Sequence, residues 1–251
     1  MFKSFRQRLR AGEQLLGTLV SLPSPEVAET LAGAGFDWLF IDGEHGAFDA
    51  LVAQRMLQAV GDRCPCLLRV PLDDEIAIKK ALDIGAAGVI VPQVNSAAQA
   101  RRIVSMCKYP PQGRRGVGLA RAHGYGSYFG DYVRNANSEV SVVIQAEHID
   151  AVKNIAEMVR TEGVDAIFIG PYDLAASMGH MGDVQAPAVL DAVATIRAAC
   201  KEAQVALGIF GLDAAGMRGY LQDGFTLIAA GCDSYWLLQG AKQAMGELTR
   251  A

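Results

Sequence analysis

Eight short apolar runs alternate with amphipathic segments along almost the whole chain, and this alternation constrains the fold more than any other feature. Runs of this length without polar alternation are typical of parallel strands that are buried on both faces. The segments between them carry apolar residues at three- and four-residue spacing, which predicts helices. The predicted strands are residues 17–22, 38–41, 66–70, 88–94, 141–147, 166–170, 206–210 and 226–232.

Eight strand–helix units within 251 residues are typical of a closed (β/α)8 barrel, or TIM barrel, formed by one domain spanning residues 1–251. An open doubly wound sheet is the alternative. Such a sheet normally carries a glycine-rich phosphate-binding turn after its first strand, and Leu22-Pro-Ser-Pro-Glu26 has no such pattern. The predicted helices are residues 25–34, 47–59, 75–84, 96–106, 149–160, 186–203, 214–222 and 235–249.

One connection, residues 108–139, is much longer than the others. Long connections in a compact barrel are usually functional or interfacial. Because this one precedes a strand, its early part should emerge at the N-terminal face of the barrel. It carries Arg121 and His123. Two roles stay open for these residues, contact with a substrate if the segment folds over a site, or contact with a neighbouring subunit.

Composition excludes several classes of function. The net charge of −4 provides no basic surface for nucleic acid. No apolar run reaches the length of a membrane span, and no apolar signal core follows the basic N-terminal segment. The five cysteines are odd in number and scattered, which fits a reducing compartment. A cytoplasmic location is therefore expected.

Polar residues follow nearly every predicted strand. In a barrel of this class the active site lies at the C-terminal ends of the strands, so these side chains are expected to converge. The second strand ends in Asp42-Gly-Glu44-His45-Gly, which alone is equally compatible with an ordinary polar turn. The polar residues at predicted strand ends are Asp42, Glu44, His45, Arg69, Gln93, Asn95, Gln145, Glu147, His148, Tyr172, Asp173 and Asp233.

Two carboxylates, Glu147 and Asp173, end consecutive predicted strands. Gln145 is two residues before Glu147 and faces the same way, because side chains alternate along a strand. Oxygen donors of this kind suit a hard divalent cation such as Mg²⁺ or Mn²⁺. The alternative is a structural ion pair between a carboxylate and Arg69.

Arg69 lies in an otherwise apolar strand, where a guanidinium is costly unless it meets an anion. It is predicted to bind a carboxylate or to stabilise an enolate oxygen, and a salt bridge to Glu44 or Glu147 is compatible with both roles. His45, with Asp42 and Glu44 as candidate orienting carboxylates, is suited to moving a proton near neutral pH.

Taken together, six motifs resemble the HpcH/HpaI aldolase family of class II, metal-dependent pyruvate aldolases. The resemblance runs from the first strand to the last. The motifs are Asp42 and His45 within residues 36–45, Leu68-Arg69-Val70-Pro71, residues 85–92, Tyr109-Pro-Pro-x-Gly-x-Arg-Gly116, Gln145-x-Glu147, and Ile169-Gly-Pro-x-Asp-Leu174.

The resemblance implies a TIM barrel that reversibly cleaves a 4-hydroxy-2-oxo acid, or a 2-oxo-3-deoxy sugar acid, to pyruvate and an aldehyde through a metal-stabilised enolate. It also implies a homo-oligomer, a trimer or a hexamer, in which the last helix packs on a neighbouring subunit. In the implied roles, Glu147 and Asp173 are ligands of Mg²⁺, Mn²⁺ or Co²⁺, and Arg69 stabilises the enolate with Gln145 beside it. His45 is the acid/base and is paired with Asp42. The pyruvate carboxylate binds to backbone amides near Tyr172, Asp173 and Leu212.

Two other functions remain open on the sequence. A related carbon–carbon lyase or decarboxylase acting on 2-oxo acids or CoA thioesters would use the same enolate site, although no convincing basic patch for CoA is present. A catalytically silent barrel that binds oxo acids is the non-enzymatic alternative.

The identity of the aldehyde is also open, because residues 119–132 match no substrate subgroup. Sugar-derived and dicarboxylate-derived substrates both remain candidates.

Overall fold

The computed structural model describes residues 3–249. Its eight parallel strands form a closed barrel in which each strand pairs with the next and β8 returns to pair with β1. The predicted (β/α)8 barrel is therefore confirmed, and the open sheet is excluded. The strands are β1 Leu15–Val20, β2 Trp38–Asp42, β3 Cys66–Arg69, β4 Gly88–Val91, β5 Ser141–Ala146, β6 Ala166–Ile169, β7 Ala206–Gly211 and β8 Leu227–Cys232.

Helices surround the barrel and begin mostly at side-chain caps. Asp49 and Asp74 each accept two backbone N–H groups of the helix that follows, which ends the preceding loop at that residue. This is why the helix predicted from residue 47 begins only at Ala50. The helices are α1 Phe5–Arg10, α2 Pro25–Ala32, α3 Ala50–Val60, α4 Glu75–Asp83, α5 Ala97–Cys107, α6 Phe129–Glu139, α7 Ile149–Met158, α8 Pro171–Ser177, α9 Pro187–Ala203, α10 Met217–Gln222 and α11 Asp233–Thr249.

The barrel interior is filled by aromatic side chains. Trp38 and Phe40 stack with ring centroids 5.9 Å apart, and Phe168 meets Phe40 edge-on at 5.6 Å. Gly17 makes room for this layer, because a Cβ at that position would lie 2.5 Å from the indole nitrogen of Trp38. Helix α1 closes the N-terminal end through Phe5, whose ring lies 6.2 Å from Trp38. These rings form the floor beneath the C-terminal mouth.

The sequence suggested that the long connection before β5 is a loop, but the structure contains helical segments there. It contains a short 3-10 segment, Arg121–Gly126, and helix α6. Arg121 donates hydrogen bonds to the carbonyls of Leu57 and Ile84, at the C-terminal ends of α3 and α4. These helix ends lie at the N-terminal face, so Arg121 does not reach the C-terminal mouth of its own barrel.

His123 is buried in the same segment, with its Nε2 2.7 Å from the carbonyl oxygen of Gly118. Its ring meets Phe129 edge-on, with centroids 5.2 Å apart. Of the two roles left open for Arg121 and His123, contact with a substrate in the same chain's site is therefore wrong.

Helix α11 presents an apolar face to solvent within this chain. Leu237, Leu238, Met245 and Leu248 are all more than half exposed. Its N-terminal residue Asp233 is buried and accepts hydrogen bonds from the backbone of residues 21 and 22, which anchors the start of the helix to the end of β1.

Within residues 3–249, no helix combines the length and the apolar character that crossing a membrane requires.

Candidate active site

Strand register brings the predicted polar residues to one end of the barrel. Asp42 on β2 is the direct neighbour of Arg69 on β3, and Gln145 on β5 is the neighbour of Phe168 on β6. A larger cavity, of about 640 Å³, opens at the opposite face beside Arg121, away from these groups. The C-terminal cavity has a volume of about 210 Å³ and is lined by Leu19, Phe40, Asp42, His45, Arg69, Gln145, Phe168, Gly170, Pro171, Tyr172, Asp173 and Phe210.

Arg69 is buried at the centre of this cavity and is held on three sides. Its Nε and Nη2 donate to the two carboxylate oxygens of Asp42, at 2.8 and 2.7 Å. Its Nη1 lies 3.1 Å from Glu44 Oε2, and Phe40 lies beneath it with the ring centroid 5.1 Å from Cζ. Burial opposes its charge, but the hydrogen bonds and charge of Asp42 outweigh it and raise the pKa of Arg69. Arg69 is therefore a fixed cation.

In the Asp42–His45 turn, the two candidate orienting carboxylates contact different parts of His45. Asp42 Oδ1 accepts the backbone N–H groups of Glu44 and His45, at 3.1 and 3.3 Å, while its carboxylate is occupied by Arg69. The imidazole of His45 is 70% exposed, and its Nε2 lies 3.9 Å from Glu44 Oε2. Among the described residues, Glu44 is the carboxylate within 4 Å of this ring. Asp42 thus holds the backbone of His45, and Glu44 faces its side chain.

Glu44 is consequently shared by Arg69 and His45. Partial burial raises the pKa of Glu44, and the positive charge of Arg69 opposes that rise. The sequence suggested a pairing with Arg69 as a structural alternative, and the structure has that pairing. This pairing does not exclude a functional role for Arg69, because the guanidinium also lines the cavity.

Glu147 follows β5 and is buried, with 2% of its surface exposed. Its Oε1 accepts the backbone N–H of Gln93 at 2.8 Å, and its Oε2 accepts Nε2 of Gln145 at 2.5 Å. Burial raises the pKa of Glu147 to about 7, the Gln93 N–H opposes the rise, and the carboxylate of Asp173 adds to it. Gly170 provides the space, since a Cβ there would lie 2.4 Å from Oε2.

The remaining predicted residues lie around the rim. Tyr172 and Asp173 occupy the first turn of α8, directly after Pro171, and both line the cavity. Tyr172 is 44% exposed, and Leu212, which directly follows β7, is 41% exposed. Leu212 is not among the side chains that line the cavity. Only its backbone is a candidate for contact with a ligand here.

The donor set fits a divalent cation that keeps open coordination positions. Within residues 3–249 no group of three or more His, Cys, Asp and Glu side chains is arranged to hold a metal ion. Glu147 and Asp173 supply two carboxylates, and Asp42 and Glu44 add two more negative charges, against the single guanidinium of Arg69. This surplus of negative charge favours binding of a hard cation, with substrate or water completing its coordination.

Two residues that shape the site, Gln93 and Phe40, had not been assigned a role from the sequence. Gln93 has φ of +55°, an uncommon conformation for a non-glycine residue, and this backbone aims its N–H at Glu147. Glutamine carries no signal for that conformation, so its position at a strand end was the only clue. Phe40 was predicted only as part of a strand, and its ring supports Arg69.

Comparison with known proteins agrees with this geometry. Residues 16–239 match the family described as HpcH/HpaI aldolase/citrate lyase. The chain belongs to this family. It is 41% identical over 244 residues to a 4-hydroxy-2-oxovalerate aldolase of Novosphingobium aromaticivorans, covering 95% of this chain and 91% of that one. It is 39% identical over 245 residues to a 4-hydroxy-2-oxo-heptane-1,7-dioate aldolase of Shigella sonnei, covering 96% and 93%.

A solved structure is similar to this chain in both fold and sequence. A crystal structure of an HpcH/HpaI aldolase/citrate lyase family protein from Burkholderia cenocepacia matches with a TM-score of 0.94 at 39% identity, covering 97% of this chain and 98% of that one. The expected family membership is thereby confirmed. Aldolase-named relatives at about 40% identity over most of both chains support a carbon–carbon lyase.

Proposed function

We propose that this protein is a class II pyruvate aldolase, which reversibly cleaves a 4-hydroxy-2-oxo acid to pyruvate and an aldehyde. One observation carries the proposal. A buried guanidinium, fixed by Asp42 and Glu44, lines the same small cavity as the exposed imidazole of His45 and the carboxylate of Asp173. An anion-stabilising group and a proton-transfer group in one cavity are what retro-aldol cleavage requires.

Glu147 and Asp173 would hold a divalent cation, Mg²⁺, Mn²⁺ or Co²⁺. When bound, such a cation supplies Lewis-acid polarisation of the 2-oxo group. The two hydrogen bonds to Glu147, from Gln93 and Gln145, fix its carboxylate before any ligand arrives. Support for this role comes from the two carboxylates at the ends of consecutive strands, Glu147 beside the cavity and Asp173 lining it, and from the family resemblance.

Residues of this chain carry out the separate steps of the cleavage. His45 removes the proton of the C4 hydroxyl, and the C3–C4 bond breaks to release the aldehyde. The electron pair of that bond moves to C2–C3 and the oxygen of C2, forming the enolate of pyruvate. Arg69 donates hydrogen bonds to this oxygen as its negative charge develops. A proton delivered to C3 completes pyruvate, so the net reaction moves one proton from the hydroxyl to C3.

The pyruvate carboxylate would be held by the backbone amides of Tyr172, Asp173 and Leu212. Gln145 lies between Glu147 and Arg69, since its Nε2 donates to Glu147 and its Oε1 lies 3.5 Å from Nη1 of Arg69. It therefore keeps the two charged groups at a fixed separation. Catalysis in this scheme depends on positioning before the substrate binds.

We also propose that the protein is a homo-oligomer, a trimer or a hexamer, in which α11 packs on a neighbouring subunit. The exposed apolar face formed by Leu237, Leu238, Met245 and Leu248 supports this arrangement, because such a face favours burial against another surface. A cytoplasmic location stays a prediction from the cysteine usage.

Pyruvate release from 4-hydroxy-2-oxopentanoate tests the proposed function. We expect pyruvate formation with Mn²⁺ or Mg²⁺ and its loss in EDTA, with recovery when metal is restored. His45→Ala should lower kcat by roughly 10²- to 10⁴-fold, the usual contribution of a general acid/base, while metal binding measured by calorimetry persists. Undiminished cleavage in EDTA would contradict the role of the metal, and full activity of His45→Ala would contradict the role of the imidazole.

A further inference from the structure

We propose that Gln99, on helix α5, is a positioning residue for the carboxylate of Glu147. It acts through the backbone of Gln93, which it holds in the left-handed conformation that directs the Gln93 N–H at that carboxylate. This inference rests on the proposed function, because it takes Glu147 to hold the divalent cation. Gln99 itself is not among the side chains that line the cavity.

The two peptide groups that flank the Cα of Gln93 are both fixed by hydrogen bonds. In the first group, the N–H of Gln93 donates to Oε1 of Glu147 at 2.8 Å. In the second, the carbonyl of Gln93 accepts from Nε2 of Gln99 at 3.1 Å. The N–H of Val94, in the same second group, donates to the carbonyl of Gln145 at 3.2 Å. Because peptide groups are planar, these contacts together set the φ of +55° at Gln93.

This conformation has to be held, because a left-handed backbone brings Cβ close to the following carbonyl oxygen. Gln93 is exposed, so burial of its side chain does not offset the cost. When the carbonyl is released, the backbone can relax toward negative φ. The N–H groups of Gln93 and Val94 then no longer reach Glu147 and Gln145 together. The hydrogen bond from Gln99 therefore acts on the orientation of the Glu147 carboxylate.

The amide of Gln99 is itself fixed in one orientation. Its Nε2 also donates to Oδ2 of Asp73 at 2.9 Å, and its Oε1 accepts the backbone N–H of Asn95 at 2.9 Å. A carboxylate and a backbone carbonyl can only accept hydrogen bonds, so Asp73 and Gln93 require the nitrogen on their side. Asp73 is paired in turn with Arg102, which also lies on α5.

Helix α5 and its neighbour provide a firm base for this contact. Ser96 caps α5, and its Oγ accepts the backbone N–H of Gln99 at 3.2 Å, which places Gln99 in the first turn. Asn154 on α7 donates to the carbonyl of Asn95 at 2.8 Å. The loop therefore keeps its anchors on α7 and β5 when the amide of Gln99 is removed, and the effect centres on Gln93.

Gln99→Met tests the proposal, because methionine has a similar length but no amide. We expect its affinity for Mn²⁺, measured by calorimetry, to fall at least about tenfold, as for other groups that orient metal ligands. In metal-free protein in EDTA, the Gln93 amide should exchange with D₂O at least about tenfold faster by NMR, since local protection is lost. Gln58→Met, at an exposed position on α3, is the matched control and should change neither quantity. Wild-type affinity and exchange in Gln99→Met would overturn the proposal.

Gln93→Gly provides a test that a merely structural role of Gln99 would not pass. Glycine adopts positive φ without steric cost, so its backbone does not depend on the contact with Gln99. The Mn²⁺ affinity of Gln93→Gly combined with Gln99→Met should lie within roughly threefold of Gln93→Gly alone, which is the non-additivity expected of coupled residues. Gln93→Val alone should weaken binding, because β-branched residues disfavour positive φ. A double variant that binds as weakly as Gln99→Met would overturn the proposal.

Two further measurements separate this proposal from loss of the fold and from the proposed function. Gln99→Glu keeps an oxygen for the N–H of Asn95 but cannot donate to Gln93, and it should show the same losses if Gln99→Met does not unfold cooperatively in urea. Binding of Mn²⁺ by the wild type with unchanged affinity in both variants would overturn only the role of Gln99. Absence of Mn²⁺ binding by the wild type would overturn the proposed role of Glu147, and amide exchange in EDTA would still test Gln99.

Discussion

Asp42 and Arg69 are direct neighbours on parallel strands, and two hydrogen bonds of 2.8 and 2.7 Å join the guanidinium to both carboxylate oxygens. Each side chain is nearly inaccessible to solvent, so loss of one partner would leave the other as a buried unpaired charge. The pair fixes the plane of the guanidinium at the mouth of the barrel. The same contact therefore links two neighbouring barrel strands and orients the guanidinium in the candidate site.

Replacing Asp42 should therefore affect stability and catalysis together. Asp42→Asn removes the negative charge from a buried pair, and we expect the free energy of unfolding to fall by about 3 kcal/mol, a typical value for breaking such a pair. The kcat should fall at least tenfold because the guanidinium is no longer held in one plane. Urea unfolding and steady-state kinetics measure the two effects.

Asp191→Asn is a matched control, since Asp191 is exposed on α9. Its unfolding free energy should stay within about 0.5 kcal/mol of wild type. If Asp42→Asn behaves like this control, the buried pair does not have the assigned role.

Glu147 is expected to decide whether a divalent cation binds. Glu147→Gln keeps the volume of the side chain but removes its charge and one oxygen donor, and we expect no measurable binding of Mn²⁺ by isothermal titration calorimetry. Glu157→Gln, an exposed position on α7, is the control and should bind as wild type does. Wild-type affinity in Glu147→Gln would show that the cation binds elsewhere.

The stability of the metal-free protein should depend on the protonation of Glu147. Burial raises its pKa from 4.5 to about 7, so the folded state binds this proton more tightly than the unfolded chain does. The resulting stabilisation is complete below about pH 4.5 and is lost as the pH rises through about 7. The loss should be on the order of 2–3 kcal/mol across this window.

Urea unfolding in EDTA at pH 5 and pH 7.5 measures this dependence. The fall in stability between these pH values should be smaller in Glu147→Gln, because glutamine does not titrate. Saturating Mn²⁺ should restore the stability of the wild type at pH 7.5. Identical pH profiles for wild type and Glu147→Gln in EDTA would contradict the raised pKa.

Gly170 is required because the carboxylate of Glu147 lies against it. A Cβ at this position would be 2.4 Å from Oε2 and 3.0 Å from Cβ of Glu147. Gly170→Ala should displace the carboxylate and weaken Mn²⁺ binding by roughly 10- to 100-fold, the range seen when groups that orient metal ligands are changed. Calorimetric titration measures the affinity.

Gly219→Ala is the corresponding control. Gly219 lies in α10, and a Cβ there meets no atom within 4 Å. The affinity for Mn²⁺ should be unchanged, and the helix should gain up to about 1 kcal/mol from the better helix former. Equal metal affinity in Gly170→Ala and wild type would show that the close contact has no functional consequence.

Much of this architecture could be predicted from local patterns. The eight apolar runs correspond to the eight strands, because burial on both faces leaves a clear signature in residue type. The positions of Asp42, Arg69 and Glu147 at strand ends followed from the same pattern. Their convergence in the barrel follows from closure of the sheet.

The partners of these residues could be predicted only in part, because they depend on distances across the barrel. Asp42 and Glu44 were both candidates to orient the imidazole of His45; the carboxylate of Asp42 binds Arg69, and Glu44 lies nearest to that ring. The left-handed backbone of Gln93 has no sequence signal, since glutamine rarely adopts it. Helix α6 was missed although Phe129, Tyr132, Val133 and Ala136 recur at helical spacing, because the segment is short and polar overall and was assigned to the long connection.

Exchange of the methyl protons of pyruvate in D₂O tests the central claim most directly, since it reports enolate formation without any assumption about the aldehyde. Proton NMR should show exchange in the wild type with Mg²⁺, and loss of exchange in EDTA, in Glu147→Gln and in Arg69→Lys. Lysine keeps a positive charge at position 69 but not the planar fork that Asp42 holds. Exchange at the wild-type rate in EDTA or in Glu147→Gln would contradict the account.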